Sequence, residues 1–176
     1  LKRSKVSIGE GIRQNIVNQS DDFIMPFFST VQYLFAGNDT EGLRYGTIGT
    51  PEKFYLTWKE DVEDTSRILL DKYLLKMCDK ERFLEIIHDA VLFDAGIKKL
   101  PRVHQYFGLK AAQENVNNYE GGIIWHTQGS GKSILMVILA KWILENHPNA
   151  RIAIVTDRDE LDKQIERVFK DSDEKI

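Results

Sequence analysis

The chain has 176 residues, of which 42% are hydrophobic and 29% are charged, and its formal net charge is -3. This composition is typical of a soluble globular protein, and the slightly acidic balance argues against a basic protein that coats nucleic acid, while leaving a local basic track open. The single cysteine, Cys78, excludes an internal disulfide and a cysteine-rich zinc site, which fits a reducing cytosol.

The start of the sequence and its longest apolar run bear on the cellular location of the protein. The chain starts at Leu1 and not at methionine, so we expect it to be an internal piece of something longer. No signal-peptide pattern opens it, and the longest apolar run, which follows Ser133, is interrupted by Lys141 and is too short to span a bilayer. We therefore expect a cytoplasmic protein without a membrane partner.

The first part of the chain favours helices with a few short strands. Isoleucines at helical spacing predict a helix near the start, and an apolar face over 27–35 predicts a second helix after Pro26. A polar, glycine-bounded turn is predicted at 36–42. Residues 43–50 and 54–58 are rich in β-branched and aromatic side chains, so they predict short strands or extended segments.

Further helices are predicted over 66–77 and 81–94, and a connector at 97–101 leads to another helix over 102–117. The remaining order alternates between strand and helix, which is typical of a parallel α/β sheet: strand 122–125, loop, helix 132–145, strand 151–155 and helix 160–169. We place the domain limits accordingly at 1–64, 65–101 and 102–176.

The segment that joins the first of these strands to its helix reads GGIIWHTQGSGKS over 121–133. Gly129 and Gly131 can adopt backbone angles closed to other residues, so that successive N–H groups can meet phosphate oxygens at a helix N-terminus. Lys132 would supply a fixed positive charge, and the Ser133 hydroxyl could ligate a magnesium ion that bridges the β- and γ-phosphates. A nucleoside triphosphate is therefore the expected ligand. His126 stands where the strict G-x-x-x-x-G-K-[ST] pattern has glycine, and we interpret it as a packing or backbone-positioning residue, not an acid–base catalyst.

The predicted strand at 151–155 is followed by Thr156 and then by Asp157. One interpretation is that Asp157 positions a catalytic magnesium ion; the other is that this strand end, with Thr156 and Arg158, faces a nucleic-acid backbone. Asp159 and Glu160 lie further along and are expected to be carboxylates at a helix start, where the helix dipole stabilises them.

Gln105 lies on a helix start beside Arg102 and His104. It is either an ordinary surface glutamine or one that presents its amide to an adenine edge. A nuclease metal centre is not expected, because a carboxylate two residues before a lysine occurs only at Asp173 and Lys175, in a polar tail.

Residues 124–133, IWHTQGSGKS, resemble the nucleotide-binding motif of the restriction subunit of type I restriction-modification enzymes, in which histidine also occupies the first loop position. The resemblance covers most of the chain, because six further blocks are similar: 11–19, 35–38, 44–47, 58–60, 104–106 and 155–161.

This resemblance implies an α/β fold, namely part of a P-loop (RecA-like) ATPase lobe with parallel strands, preceded by a mostly α-helical region. It implies a superfamily 2 motor that hydrolyses ATP with magnesium and translocates double-stranded DNA, within a type I site-specific deoxyribonuclease whose partners are modification and specificity subunits. The positions that match the loop are implied to bind phosphates and magnesium: Thr127, Gln128, Gly129, Ser130, Gly131, Lys132 and Ser133.

Among these, the resemblance implies a catalytic role for Lys132 and a magnesium role for Ser133. It makes Gln105 a candidate adenine reader and places 156–158 near the DNA track. A glutamine that supports the nuclease in relatives is followed four positions later by tyrosine, whereas Gln14 is followed there by Asn18, so that role is not transferred.

Two other functions remain open. The first is a domain that binds nucleotide and acts as a scaffold without turnover, and the isolated chain is itself expected to be inactive. The second is a P-loop kinase, for which no acceptor-site or lid pattern is visible.

Overall fold

A computed structural model of the chain describes residues 6–60, 64–94 and 96–155 and, beyond them, Lys163, Glu166, Phe169 and Lys170. The chain divides into two compact units, Leu1–Ile87 and His88–Ile176. The division at 1–64, 65–101 and 102–176 stays a prediction.

In its described residues, the first unit combines three α-helices and two short 3-10 segments with a three-stranded antiparallel sheet of order β1-β2-β3. In chain order its elements are α1 (Ile8–Asn18), a 3-10 helix (Met25–Thr30), β1 (Leu34–Asn38), β2 (Gly42–Gly46), a 3-10 turn (Glu52–Phe54), β3 (Leu56–Thr57), α2 (Leu69–Met77) and α3 (Lys80–Glu85). Phe35 pairs with Tyr45 in the first ladder, and Arg44 pairs with Thr57 in the second.

Two sets of side chains explain why this unit folds as it does. The fully buried Leu43, Tyr45, Trp58 and Met77 fill its centre, and Ile8 and Ile12 of α1 belong to a core cluster with Phe28, Leu34, Ala36 and Tyr55. Asn38 is also fully buried. Its Oδ1 accepts the N–H groups of Thr40 and Glu41, and these two hydrogen bonds shape the β1–β2 turn.

The prediction of a helix over 27–35 is wrong in its second half. Leu34 and Phe35 lie in β1, and the predicted turn at 36–42 begins only after Asn38. A short apolar run fits a helix and a strand equally well by periodicity. Here the pairing of β1 with β2 decides for the strand.

In its described residues, the second unit contains a two-stranded antiparallel hairpin and two long helices. α3 continues through a single π-helical turn (Ile86–Ala90) into β4 (Leu92–Asp94) and β5 (Ile97–Lys99), followed by α4 (Val103–Asn117) and α5 (Lys132–Asn146). The predicted helix over 81–94 therefore ends early, and part of the predicted connector is a strand. Leu92 pairs with Lys99, and Gly96 has the left-handed φ of 77° that the tight turn requires.

The predicted helices over 102–117 and 132–145 are confirmed to within one residue at each end. They pack on each other, and α5 buries Leu135, Val137, Ile138, Ala140 and Trp142. A helix that is apolar on nearly all sides is typical of one enclosed by other elements.

The strands predicted at 122–125 and 151–155 are not paired in the part of the chain that the structure describes. Both described sheets are antiparallel, so parallel strands are not seen there. A strand exists only with a ladder partner, and neither segment has one among the described residues. Without one, Ile123, Trp125 and Val155 are 89%, 90% and 93% exposed.

The predicted helix at 160–169 lies outside the described residues, apart from isolated helical positions at Lys163, Glu166 and Phe169. Among the helices described above, none has both the length and the apolar character needed to cross a membrane.

Candidate functional site

The loop before α5 has the backbone geometry that its glycines allow. Gly129 and Gly131 have φ angles of 75° and 85°, which are left-handed values that disfavour other residues. Ser130 N–H donates to the Thr127 carbonyl at 3.3 Å, and Leu135 N–H donates to the Gly131 carbonyl at 3.1 Å. Gly131 thus ends the loop and caps the helix.

The N-terminus of α5 carries unpaired donors and a positive partial charge. Among the described residues, no side chain caps this end of the 15-residue helix. The first N–H groups of a helix have no partner within it, and the aligned peptide dipoles favour an anion at this end. The start of α5, at Lys132 and the half-buried Ser133, is therefore electrostatically suited to a phosphate group.

Lys132 lies folded against the loop. Its Nζ donates to the carbonyl oxygens of His126 at 3.1 Å and Thr127 at 2.9 Å, and the side chain is exposed to solvent. These two bonds hold the ammonium group beside the loop. To reach a phosphate, the ammonium must exchange these carbonyl oxygens for phosphate oxygens.

The first turn of α4 holds the loop from the other side. The Gln105 amide donates from Nε2 to the Gly131 carbonyl at 3.0 Å, and its Oε1 accepts the Arg102 N–H at 2.8 Å. The neighbouring His104 bonds through Nε2 to the Ser130 carbonyl at 3.0 Å. Two consecutive side chains of α4 therefore bind two consecutive carbonyl groups of the loop.

These contacts bear on the predicted role of Gln105 as an adenine reader. The residue is only 5% exposed, so it is not an ordinary surface glutamine. A carboxamide can accept two hydrogen bonds and donate two, and the contacts to Arg102 and Gly131 use one of each. Adenine recognition stays a prediction that would use the remaining acceptor and donor.

His126 packs where the strict motif has glycine. Its ring lies edge-to-face on His104, with centroids 5.0 Å apart, and an added Cβ at Gly108 would lie 3.1 Å from the His126 ring. The ring atom Nδ1 is buried without a hydrogen-bond partner in the described chain. Burial, and secondarily the charges of His104 and Lys132, lower the pKa of His126, which favours the neutral ring.

Beside the loop, α4 and the segment 120–126 enclose a mainly apolar cleft of about 350 Å³, lined among others by Ala112, Trp125, His126 and Leu139. Asn115, which also lines the cleft, donates from Nδ2 to the Gly121 carbonyl at 3.2 Å. The cleft thus adjoins the loop through His126.

The other predicted site residues are distributed as follows. Thr127 and Gln128 are exposed, and Ser130 is buried, with an Oγ that has no partner in the described chain. Thr156, Asp157 and Arg158 lie outside the described residues. Within the described ranges, no group of three or more His, Cys, Asp or Glu side chains is placed to hold a metal ion, so the magnesium role of Ser133 stays a prediction.

The contact between His104 and the loop is not predictable from the sequence. The two residues that it joins are 26 positions apart. The only available signal was the adjacency of His104 to Gln105 at a predicted helix start, which does not reveal a tertiary partner.

Comparison with known proteins gives consistent similarities. Residues 104–176 match the SWI2/SNF2 ATPase family. The type I restriction enzyme HindI endonuclease subunit of Haemophilus influenzae is 30% identical to this chain, over 89% of the chain and 18% of that protein.

Two proteins of Methanocaldococcus jannaschii with provisional names are also similar. The type I restriction enzyme MjaVIIIP endonuclease subunit is 31% identical, over 85% of this chain and 16% of that protein. The MjaIXP endonuclease subunit is 33% identical, over 57% of this chain and 11% of that protein. The chain spans less than a fifth of the length of these relatives.

Proposed function

The chain is a relative of the endonuclease subunits of type I restriction enzymes, and on this premise we propose that it supplies the ATP-binding loop of a DNA-translocating motor. In this proposal the whole protein is an ATP-dependent type I deoxyribonuclease. It works in the cytoplasm on double-stranded DNA, together with modification and specificity subunits.

The observation that carries the proposal is the junction between the loop and α5. Two left-handed glycines, Gly129 and Gly131, lead into a 15-residue helix that begins at Lys132 and, in the described part of the chain, has no side-chain cap. This arrangement leaves backbone donors for an anion where the helix dipole favours one.

The residues present fit a magnesium–nucleoside triphosphate. In the proposed role, the loop and first-turn N–H groups bind phosphate oxygens, Lys132 exchanges the His126 and Thr127 carbonyl oxygens for phosphate oxygens, and Ser133 ligates the metal. Magnesium, when bound, neutralises charge on the β- and γ-phosphates. Gln105 keeps the loop in place and offers its remaining donor and acceptor to the adenine edge.

We further propose that 122–125 and 151–155 are parallel strands of a RecA-like lobe in the native protein, and that Thr156, Asp157 and Arg158 lie on its DNA track. The exposure of Ile123, Trp125 and Val155 supports this, because pairing into a sheet covered on both faces would remove these apolar side chains from water. Amide hydrogen exchange on the native protein tests it. Slow exchange at 122–125 and 151–155 is expected, whereas exchange at the rate of an open loop would contradict it.

The experiment that tests the motor is an ATP hydrolysis assay on the native protein that contains this sequence, with and without duplex DNA. We expect hydrolysis that depends on duplex DNA. DNA-independent transfer of phosphate to a small-molecule acceptor would support a kinase instead.

A nucleotide-binding scaffold without turnover is the second candidate. The position of Lys132 favours it for the 176-residue chain alone, because the ammonium is already paired with two carbonyl oxygens. We therefore expect weak binding of ATP with magnesium to the chain alone, measured by calorimetry. Micromolar-tight binding with turnover would contradict this expectation.

A further inference from the structure

The contact between His104 and the Ser130 carbonyl, 3.0 Å long, has a consequence for the adjacent peptide group. The carbonyl of Ser130 and the N–H of Gly131 belong to one planar peptide, and no described peptide bond is cis. In a trans peptide the C=O and N–H bonds point in opposite directions. A side chain that fixes the carbonyl therefore also fixes the direction of the N–H, which points away from His104.

His104 and Gln105 differ in how much the loop depends on them. The Gly131 carbonyl that Gln105 binds also accepts the Leu135 N–H, so α5 holds it even without Gln105. In the described part of the chain, the hydrogen bond to the Ser130 carbonyl comes from His104 alone. Loss of His104 should therefore free the Ser130–Gly131 peptide to rotate, whereas loss of Gln105 leaves the Gly131–Lys132 peptide restrained.

The chemistry of the ring sets a requirement on any replacement. A carbonyl oxygen only accepts hydrogen bonds, so Nε2 of His104 must carry a proton. The edge-to-face contact with His126 holds the His104 ring from another side. A carboxamide of similar reach could replace the donor, whereas an aliphatic or thioether side chain could not.

We propose that His104 is a positioning residue for the nucleotide phosphates: it holds the Ser130 carbonyl and thereby aims the Gly131 N–H at the phosphate site. The inference rests on the proposed function, since it assumes that this loop binds phosphate. His104 acts through the backbone and touches neither the nucleotide nor the metal.

The test is an NMR titration of the 176-residue chain with ATP and magnesium, which measures weak binding and reports the Gly131 amide directly. His104→Ala should weaken binding about three- to tenfold, the effect of one lost hydrogen bond, and should shrink the shift of the Gly131 amide on nucleotide addition. His104→Gln, which keeps a donor, should restore both. His88→Gln is the matched control, because His88 is exposed and bonds to Asp89, away from the loop.

The outcomes separate this inference from the proposed function. If Lys132→Ala abolishes binding while His104→Ala binds as the unsubstituted chain does, with the same Gly131 shift, the role of His104 is refuted alone. If ATP with magnesium shifts other loop amides but leaves the Gly131 amide unshifted in the unsubstituted chain, the role of His104 is refuted, while ATP hydrolysis by the native protein decides the proposed function separately. His104→Met against His104→Gln repeats the comparison at similar side-chain length, so that a loosened fold in His104→Ala cannot be mistaken for a loss of positioning. Equal affinity of those two variants would also refute the role.

Discussion

The two left-handed glycines of the loop should respond very differently to alanine. Gly129 has open space around the position of an added Cβ, with no atom within 4 Å. At Gly131, an added Cβ would lie 2.5 Å from Nε2 of Gln105. Both positions have positive φ, so the pair separates the cost of the backbone angle from the cost of the steric clash.

The expected losses of stability follow from the cost of the backbone angle and the cost of the steric clash. A left-handed angle costs an L-residue about 1–2 kcal/mol, so Gly129→Ala should lower the free energy of unfolding of the second unit by that amount. Gly131→Ala adds the displacement of the buried Gln105 amide, which loses its bond to the Gly131 carbonyl and costs about 1–3 kcal/mol more. The expected total for Gly131→Ala is about 2–5 kcal/mol.

The assay is urea unfolding of the chain, followed by NMR resonances of α5 so that the second unit is observed by itself. Combining Gly131→Ala with Gln105→Ala removes the clash, so the double variant should be more stable than the sum of the single effects predicts, by about 1 kcal/mol or more. Equal effects of the two glycine substitutions, or strict additivity of the double variant, would refute the steric argument.

Two further predictions concern the histidines and the core. The hydrogen bond and charge of Asp89 raise the pKa of His88, whereas burial lowers that of His126, so an NMR titration should show His88 titrating above about 6.5 and His126 below it. The contact of His88 with Asp89 therefore stabilises the fold at acidic pH, and this stabilisation is lost as the pH rises through the raised pKa of His88. For His126 the folded state favours the neutral ring, so the stability is fully present above about 6.5 and is lost as the pH falls through the lowered pKa. The reverse order of titration would contradict both expectations. In the first unit, Leu43→Ala should lower the free energy of unfolding by about 2–5 kcal/mol in urea denaturation, because the side chain is fully buried, and a loss below about 1 kcal/mol would contradict its place in the core.

The sequence predicted best what local patterns determine. α4 and α5 were predicted because their apolar residues recur over about four turns, and the loop because Gly129, Gly131 and Lys132 stand together before an apolar helix. The secondary structure of short apolar runs is harder to predict. Leu34–Phe35 and Leu92–Phe93 belong to hairpins, and only pairing with the partner strand decides between helix and strand there.

The contacts that organise the site could not be predicted for a related reason. His104 and Gln105 reach carbonyl groups 26 residues away, and nothing in the residues between them encodes that distance. The loop glycines indicated where an anion fits. They did not indicate that α4 restrains the peptide groups on which such a site depends.

We propose that Lys132 binds the phosphates of ATP in a DNA-dependent motor, and the duplex-DNA-stimulated rate of ATP hydrolysis by the native protein carrying Lys132→Ala tests this role. Lys80→Ala, which removes an exposed lysine at the start of α3, is the matched control. We predict that Lys132→Ala abolishes hydrolysis in a protein that remains folded, while Lys80→Ala retains it. DNA-stimulated hydrolysis at the unsubstituted rate in Lys132→Ala would contradict the proposed role of Lys132.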